Sequence, residues 1–311
     1  MSSTHKKVIV VGATGEIGRA LSRRLLQDQQ YGLVVFSRTP KRAREIIPGA
    51  VEYVEWQPEE NGTWVPAIDS AYAIVNLAGA PSFGVRWTAE YRRALQENRM
   101  TIARGLVNAI RLAKTKPQIF VQGSSVGTYG FTTVNNRVVD EDTPLDDDSF
   151  TQESLKIEQE AQKAEELDVR TVVLRTGFVL DKNDGGLPLM VQSIRRFTGG
   201  ILLPGTQWLP WIHIDDEVGI ILKALEDEQV RGPVNMTAPE VVTNRDCMKT
   251  IGGILHRPIP MRVPRFLLQM FMGDSAAILT RGKRIVPKRM LTWGYVFQYP
   301  SLKDALNNLL N

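Results

Sequence analysis

The stretch Gly12-Ala13-Thr14-Gly15-Glu16-Ile17-Gly18 constrains this chain more than any other. It follows the β-branched run Val8-Ile9-Val10-Val11, which reads as a buried strand. It opens a segment, Glu16 to Leu26, in which Ile17, Ala20, Leu21, Leu25 and Leu26 keep helical spacing. A strand, a loop with glycines at these intervals and then a helix is the arrangement a dinucleotide's pyrophosphate needs. Gly12 permits the tight turn, Gly15 lets the backbone approach the phosphates, and Gly18 lets the helix pack close to the sheet. The helix N-terminus adds unpaired N–H groups and the positive end of its dipole. Residues 12 to 18 are therefore candidate cofactor-binding residues, joined by Leu77, Ala78 and Gly79 after a later strand.

The pattern continues as alternation. Strands are expected at Leu33–Phe36, Ala71–Leu77, Ile119–Gln122 and Thr171–Leu174, with helices at Pro40–Ile47, Thr88–Ala113 and Thr151–Leu167. Such alternation implies right-handed crossovers and an α/β fold, a Rossmann-type doubly wound parallel sheet. After Arg175, paired glycines and repeated prolines cut the chain into shorter pieces, with helices expected at Asp216–Glu226, Arg245–Leu255, Phe266–Met272 and Leu302–Leu310. Residues 1–180 read as the dinucleotide-binding domain. Residues 181–311 read as a smaller substrate-side lobe, partly interleaved with the sheet.

The end of the second strand selects the cofactor. An acidic residue there serves the ribose 2′-OH of NAD. This chain has Phe36-Ser37-Arg38-Thr39-Pro40-Lys41-Arg42 and no carboxylate. Ser37 can hydrogen-bond a 2′-phosphate, and Arg38 can pair with it bidentately, so NADP(H) is the expected cofactor.

Composition removes other classes. With 43% hydrophobic and 23% charged residues, the chain has the profile of an ordinary globular domain. No apolar run reaches the roughly 18 residues of a membrane span. A net charge of +4, without aromatic-basic interleaving, points away from nucleic acid. The single cysteine, Cys247, excludes an internal disulfide, and His5 and His256 stand without companions, so no metal site is expected. Met1 to Lys7 leads almost directly into the first strand, leaving no room for a leader peptide. The expected location is the cytoplasm, or an organelle stroma or matrix if a transit peptide has been removed.

Longer motifs carry a resemblance. Asn76-Leu-Ala-Gly-Ala80 with Arg86-Trp87, Ser124-Ser-Val-Gly-Thr-Tyr-Gly130, Leu174-Arg-Thr-Gly-Phe-Val-Leu180, Pro210-Trp-Ile-His-Ile-Asp-Asp216 and Val286-Pro-Lys-Arg289 with Gly294-Tyr295 and Tyr299-Pro300 span essentially the whole chain. Together they resemble the "epimerase family protein" group of atypical extended short-chain dehydrogenases/reductases, family 39U type. The resemblance implies a Rossmann fold, NADP(H) binding and a C-terminal domain of unassigned function. It supplies no substrate. Some plastid and cyanobacterial relatives are linked to division or organelle-envelope roles.

Chemistry in that superfamily needs Ser, Tyr and Lys: Tyr exchanges the proton, Ser orients the substrate oxygen, Lys lowers the Tyr pKa and holds the ribose. Ser125 is the candidate orienting serine, with Ser124 beside it. The Tyr-x-x-x-Lys pair should open the helix near residue 150, where the text is Ser149-Phe-Thr-Gln-Glu-Ser-Leu-Lys156. One register puts Phe150 and Ser154 in the two places; the other puts Gln152 and Lys156 there. Neither has a tyrosine, and Phe and Gln cannot do phenol chemistry. Tyr129, Lys156 and the carboxylates Asp140, Glu141 and Asp142 are candidate substitutes. Asn98, inside the long helix, is a further polar candidate. Arg86 and Trp87 are candidate substrate-pocket residues. His213 reads as structural, with Asp215 as helix N-cap. Arg281, Lys283, Arg284, Lys288 and Arg289 form a basic cluster that suits an acidic partner, a membrane surface or plain solvent. Two readings stay open: an NADP-dependent oxidoreductase or epimerase-like enzyme acting on an unknown small molecule, or a non-catalytic NADP(H)-sensing regulator or scaffold.

Overall fold

The computed structural model describes residues 5–58, 62–79, 86, 88–130, 136–259, 261–264, 266, 269–270, 273, 276 and 280–311. Its centre is a seven-stranded sheet made of β1 (Lys6–Val11), β2 (Tyr31–Ser37), β3 (Glu52–Glu55), β4 (Ala73–Asn76), β5 (Ile119–Ser125), β6 (Arg170–Thr176) and β7 (Gly232–Met236). The spatial order is β7-β6-β5-β4-β1-β2-β3, and every neighbouring pair is parallel. Strand order reverses between β1 and β4. In a doubly wound sheet that reversal opens a crevice beyond the strands' carboxyl ends.

Around the sheet lie α1 (Glu16–Gln27), α2 (Pro40–Ile46), α3 (Ala89–Leu112), α4 (Ser149–Gln162), α5 (Leu187–Arg195), α6 (Ile214–Glu226), α7 (Asn244–Ile254), α8 (Lys288–Thr292) and α9 (Leu302–Leu310). The two faces follow from strand alternation. Val8 and Val10 join a core with Leu21 and Leu25 of α1 and Val218 and Ile221 of α6. Ile9 and Val11 join the opposite core with Ile102, Leu106 and Ile110 of α3 and Ala161 of α4. A third core belongs to the C-terminal part, where α5, α7 and α9 close around Trp211. Short parallel pairs tie the parts together: Phe178–Leu180 with Trp211–His213, and Arg284–Ile285 with Val138–Val139.

Two local features depart from the sequence pattern. The edge strand β3 has no counterpart in the sequence pattern because its Glu-Tyr-Val-Glu text puts only two half-buried residues between two exposed ones. The N-cap of α6 is His213, not Asp215: the imidazole Nδ1 accepts the Asp215 backbone N–H at 3.0 Å. The ring is buried, faces Asn308 Oδ1 at 3.2 Å and stacks on Tyr299 at 3.9 Å, which fixes its structural role. The helix expected at Phe266–Met272 falls largely outside the described residues. No described helix is long and apolar enough to cross a membrane.

Candidate functional site

The glycine loop meets the crevice at the turn from β1 to α1. Gly12 has φ +82°, and a Cβ on it would lie 2.7 Å from the backbone of Leu77 and Ala78. Only glycine fits there. A Cβ on Gly18 would sit 2.2 Å from the Gly12 carbonyl oxygen, so helix and loop touch backbone to backbone. Gly15 is the N-cap of α1 and no side chain caps that end, leaving first-turn N–H groups directed at the crevice. Ala13 is buried beneath the loop, and the Thr14 carbonyl accepts from Arg19 at 2.6 Å. The segment Leu77–Gly79 is pinned by Asn76, whose Oδ1 accepts the Ala78 N–H at 3.1 Å.

A cavity of about 360 Å³ runs from this loop across the ends of β4, β5 and β6 to the C-terminal lobe. Gly12, Gly15, Glu16, Ile17, Gly18, Leu77, Ala78 and Gly79 all line it. Ser37 and Arg38 stand at the end of β2, outside its enclosed part. Ser37 Oγ accepts the Thr39 N–H at 3.1 Å, and Arg38 is exposed.

Ser124 and Ser125 both line the cavity, but their protons differ. Ser124 Oγ donates to Glu158 Oε1 at 2.6 Å. Glu158 is buried and held by Arg175 through Nε at 3.1 Å and Nη2 at 2.8 Å, and Thr128 donates to it as well. The Ser124 proton is thus committed to the scaffold. Ser125 Oγ accepts the Gly127 N–H at 3.1 Å, which leaves its own O–H for a ligand.

Helix α4 turns one side to the cavity. Phe150, Ser154 and Ile157 line the cavity at helical spacing, whereas Gln152 and Lys156 are exposed. Lys156 therefore lies away from the cavity, and Phe150 and Ser154 are the pair that faces it. Tyr129 is also removed from it. Its side chain is 1% exposed, its hydroxyl donates to Asn235 Oδ1 at 2.8 Å, and Arg175 lies over its ring. Burial pushes its pKa up to about 12, the wrong direction for proton exchange near neutrality. Asp140 and Asp142 pair with Lys288, and Arg289 reaches Asp142. Glu141 is buried and accepts the Asn235 N–H at 3.0 Å. All three carboxylates anchor the lobe, and the basic cluster that suggested an external acidic surface is partly spent on them. Arg86 is exposed and does not line the cavity, and Trp87 lies outside the described residues.

Sequence reasoning missed two groups. Asn98 is exposed, while its neighbour Arg99 lines the cavity. A Cβ on Gly79 would lie 3.2 Å from Arg99 Nε, so the guanidinium packs against the end of β4. Burial lowers its pKa, yet a guanidinium keeps its charge. Glu217 on α6 is fully buried, accepts from Thr176 Oγ1 at 2.9 Å and leaves Oε2 without a partner among the described residues. Burial, and then the charge of Glu16, push its carboxyl up to about 8. Glu16 is pushed up to about 7, by burial first and by Asp184 and Asp181 after it. Both missed residues sit on the apolar stripe of their helices, Arg99 between Leu95 and Ile102, Glu217 between Ile214 and Ile221. A charge on a buried stripe was the available signal.

Comparison with known proteins identifies the family and the fold. The sequence model of the NAD dependent epimerase/dehydratase family matches residues 8–236, and that of a domain of unknown function, DUF1731, matches residues 263–309. The chain is 34% identical over 305 residues to the Arabidopsis thaliana epimerase family protein SDR39U1 homolog, chloroplastic, covering 97% of this chain and 86% of that protein. It is 34% identical over 309 residues to the Bacillus subtilis epimerase family protein YfhF, covering 97% of each. The crystal structure of human epimerase family protein SDR39U1 (isoform 2) with NADPH superposes with a TM-score of 0.84 at 30% identity, covering 97% of this chain and 98% of that one.

Proposed function

Because the chain belongs to the NAD dependent epimerase/dehydratase family, we propose that it binds NADP(H) in the glycine-loop crevice and acts on a small molecule as an oxidoreductase or epimerase-like enzyme. The observation that carries this reading is the cradle at the strand-order reversal. Gly12 and Gly18 tolerate no Cβ, and the uncapped N-terminus of α1 faces the space between them and Leu77–Gly79. A pyrophosphate there meets backbone N–H groups and the helix dipole. Arg99, packed against Gly79, offsets its charge. Ser37 and Arg38, at the end of β2, receive the adenosine 2′-phosphate. The human relative named above was crystallised with NADPH. That cofactor supplies hydride exchange, and Ser125, with its O–H uncommitted, orients the substrate oxygen.

A second reading rests on a different observation. Phe150 and Ser154 face the cavity where a phenol and an amine do the usual proton work. This favours a protein that binds NADP(H) without turning over a carbonyl, as a redox sensor or scaffold.

Binding comes first in the test. NADPH should bind at least about tenfold tighter than NADH, and Arg38→Asp should reverse the order. Tighter NADH binding by the natural sequence overturns the cofactor assignment. NADPH oxidation against a carbonyl panel then separates the two readings: turnover that falls in Ser125→Ala supports the enzyme, and none across the panel supports the sensor.

A further inference from the structure

Building on the reading that NADP(H) occupies the glycine end, we propose that the lobe end of the cavity binds the anionic head group, carboxylate or phosphate, of a small substrate with an apolar body, and that Arg281 holds that group.

The run from Arg281 to Arg289 carries five basic side chains, and four are engaged. Lys283 pairs with Asp146 at 2.7 Å and donates to the Tyr129 carbonyl at 2.6 Å. Arg284 lies over the Trp208 ring, 5.2 Å from its centroid. Lys288 meets Asp140 and Asp142, and Arg289 meets Asp142. Arg281 makes no ion pair, hydrogen bond or ring contact among the described residues, although it is partly buried and lines the cavity. Its backbone is held in place, because a Cβ on adjacent Gly282 would lie 1.7 Å from the Trp208 carbonyl oxygen. A guanidinium presented this way keeps its fork of N–H donors for a ligand.

The surrounding wall fixes the rest of the ligand. Phe150, Phe178, Trp208 and Ile285 give this end an apolar lining. The one carboxylate lining the cavity among the described residues is Glu16, which belongs to the glycine loop. The lobe end is therefore positive and apolar. A space of about 360 Å³ that also admits the nicotinamide half of a dinucleotide leaves room for a small body only.

Isothermal titration of the full chain, with and without NADPH, tests the assignment. The probes are phenylpyruvate, phenyl phosphate and the neutral amide of phenylpyruvate. At least one anion should bind, with the amide about tenfold weaker or more. Arg281→Gln should bring the anion down to the amide's level, Arg281→Lys should restore part of the difference, and NADPH affinity should stay within about twofold. Stronger binding of phenyl phosphate identifies a phosphate group, stronger binding of phenylpyruvate a carboxylate; either supports the proposal. Equal binding of amide and anion, unchanged anion binding in Arg281→Gln, or no anion binding at all overturns it. Failure of NADPH to bind while the anion still depends on Arg281 rejects the cofactor reading and leaves this one standing. Arg281 has no partner among the described residues, so thermal melts of the variants should match the natural protein.

Discussion

At the scale of single residues, burial separates functional from structural side chains of the same type. Ser124 and Ser125 are neighbours at the same strand end, yet one gives its proton to Glu158 and the other keeps it. Tyr129 looked like a replacement phenol because it follows Ser125 by four residues. Its hydroxyl instead joins Asn235, a contact across 106 positions of chain that no local pattern reveals. Tyr129→Phe should cost about 1 kcal/mol in urea unfolding, the net value of one hydrogen bond, and leave NADPH affinity unchanged. A Tyr129→Phe protein that folds with full stability but loses the cofactor would place the phenol in the cleft after all. Arg99 was missed by one position for the reverse reason: Asn98 offered familiar chemistry, whereas the helical stripe from Leu95 to Ile102 pointed to its neighbour.

Elements were more legible than side chains. The strand-loop-helix unit around Gly12–Gly18 needs only short-range regularities, a β-branched run, glycine spacing and a period of 3.6. The structure adds its tolerance. Gly18→Ala should be more damaging than Gly15→Ala, because the new Cβ meets the Gly12 carbonyl at 2.2 Å rather than 3.3 Å. We expect a loss of about 2 kcal/mol or more for Gly18→Ala in chemical denaturation, together with weakened NADPH binding. Equal behaviour of the two variants would contradict this account. The register of α4 was not legible, because Phe150/Ser154 and Gln152/Lys156 are each four apart and both fit the helix. Tertiary packing chose the first. Lys156, left in solvent, should be replaceable by Ala with NADPH affinity and melting temperature unchanged; a large loss of binding would restore it to the site.

The whole molecule adds a property that no segment carries alone. Glu217 reaches the Glu16 region only because α6 packs against α1 beside the end of β6. Unfolded, its carboxyl releases its proton near the ordinary value of about 4.3; folded, it retains the proton up to about pH 8. Between those limits the folded state binds more protons, so stability falls as pH rises and the loss is complete above pH 8. Glu16, raised to about 7, acts in the same direction. The melting temperature should drop by about 5 °C between pH 5.5 and 8.5, and Glu217→Gln should flatten that slope. A natural protein that gains stability over the same interval would show that other groups dominate.

The last sheet strand has a consequence for how the chain is made. β7 pairs with β6, yet 55 residues separate Thr176 from Gly232, and much of the lobe lies in that interval. A ribosome delivering the chain in order completes six strands and then waits, with β6 presenting a bare row of N–H and C=O groups, until the stretch around Met236 emerges. Such an open rim recruits other strands. A truncation after Leu180 would fix that interim state permanently, so the nucleotide-binding half should be harder to obtain alone, and more prone to self-association, than the entire chain.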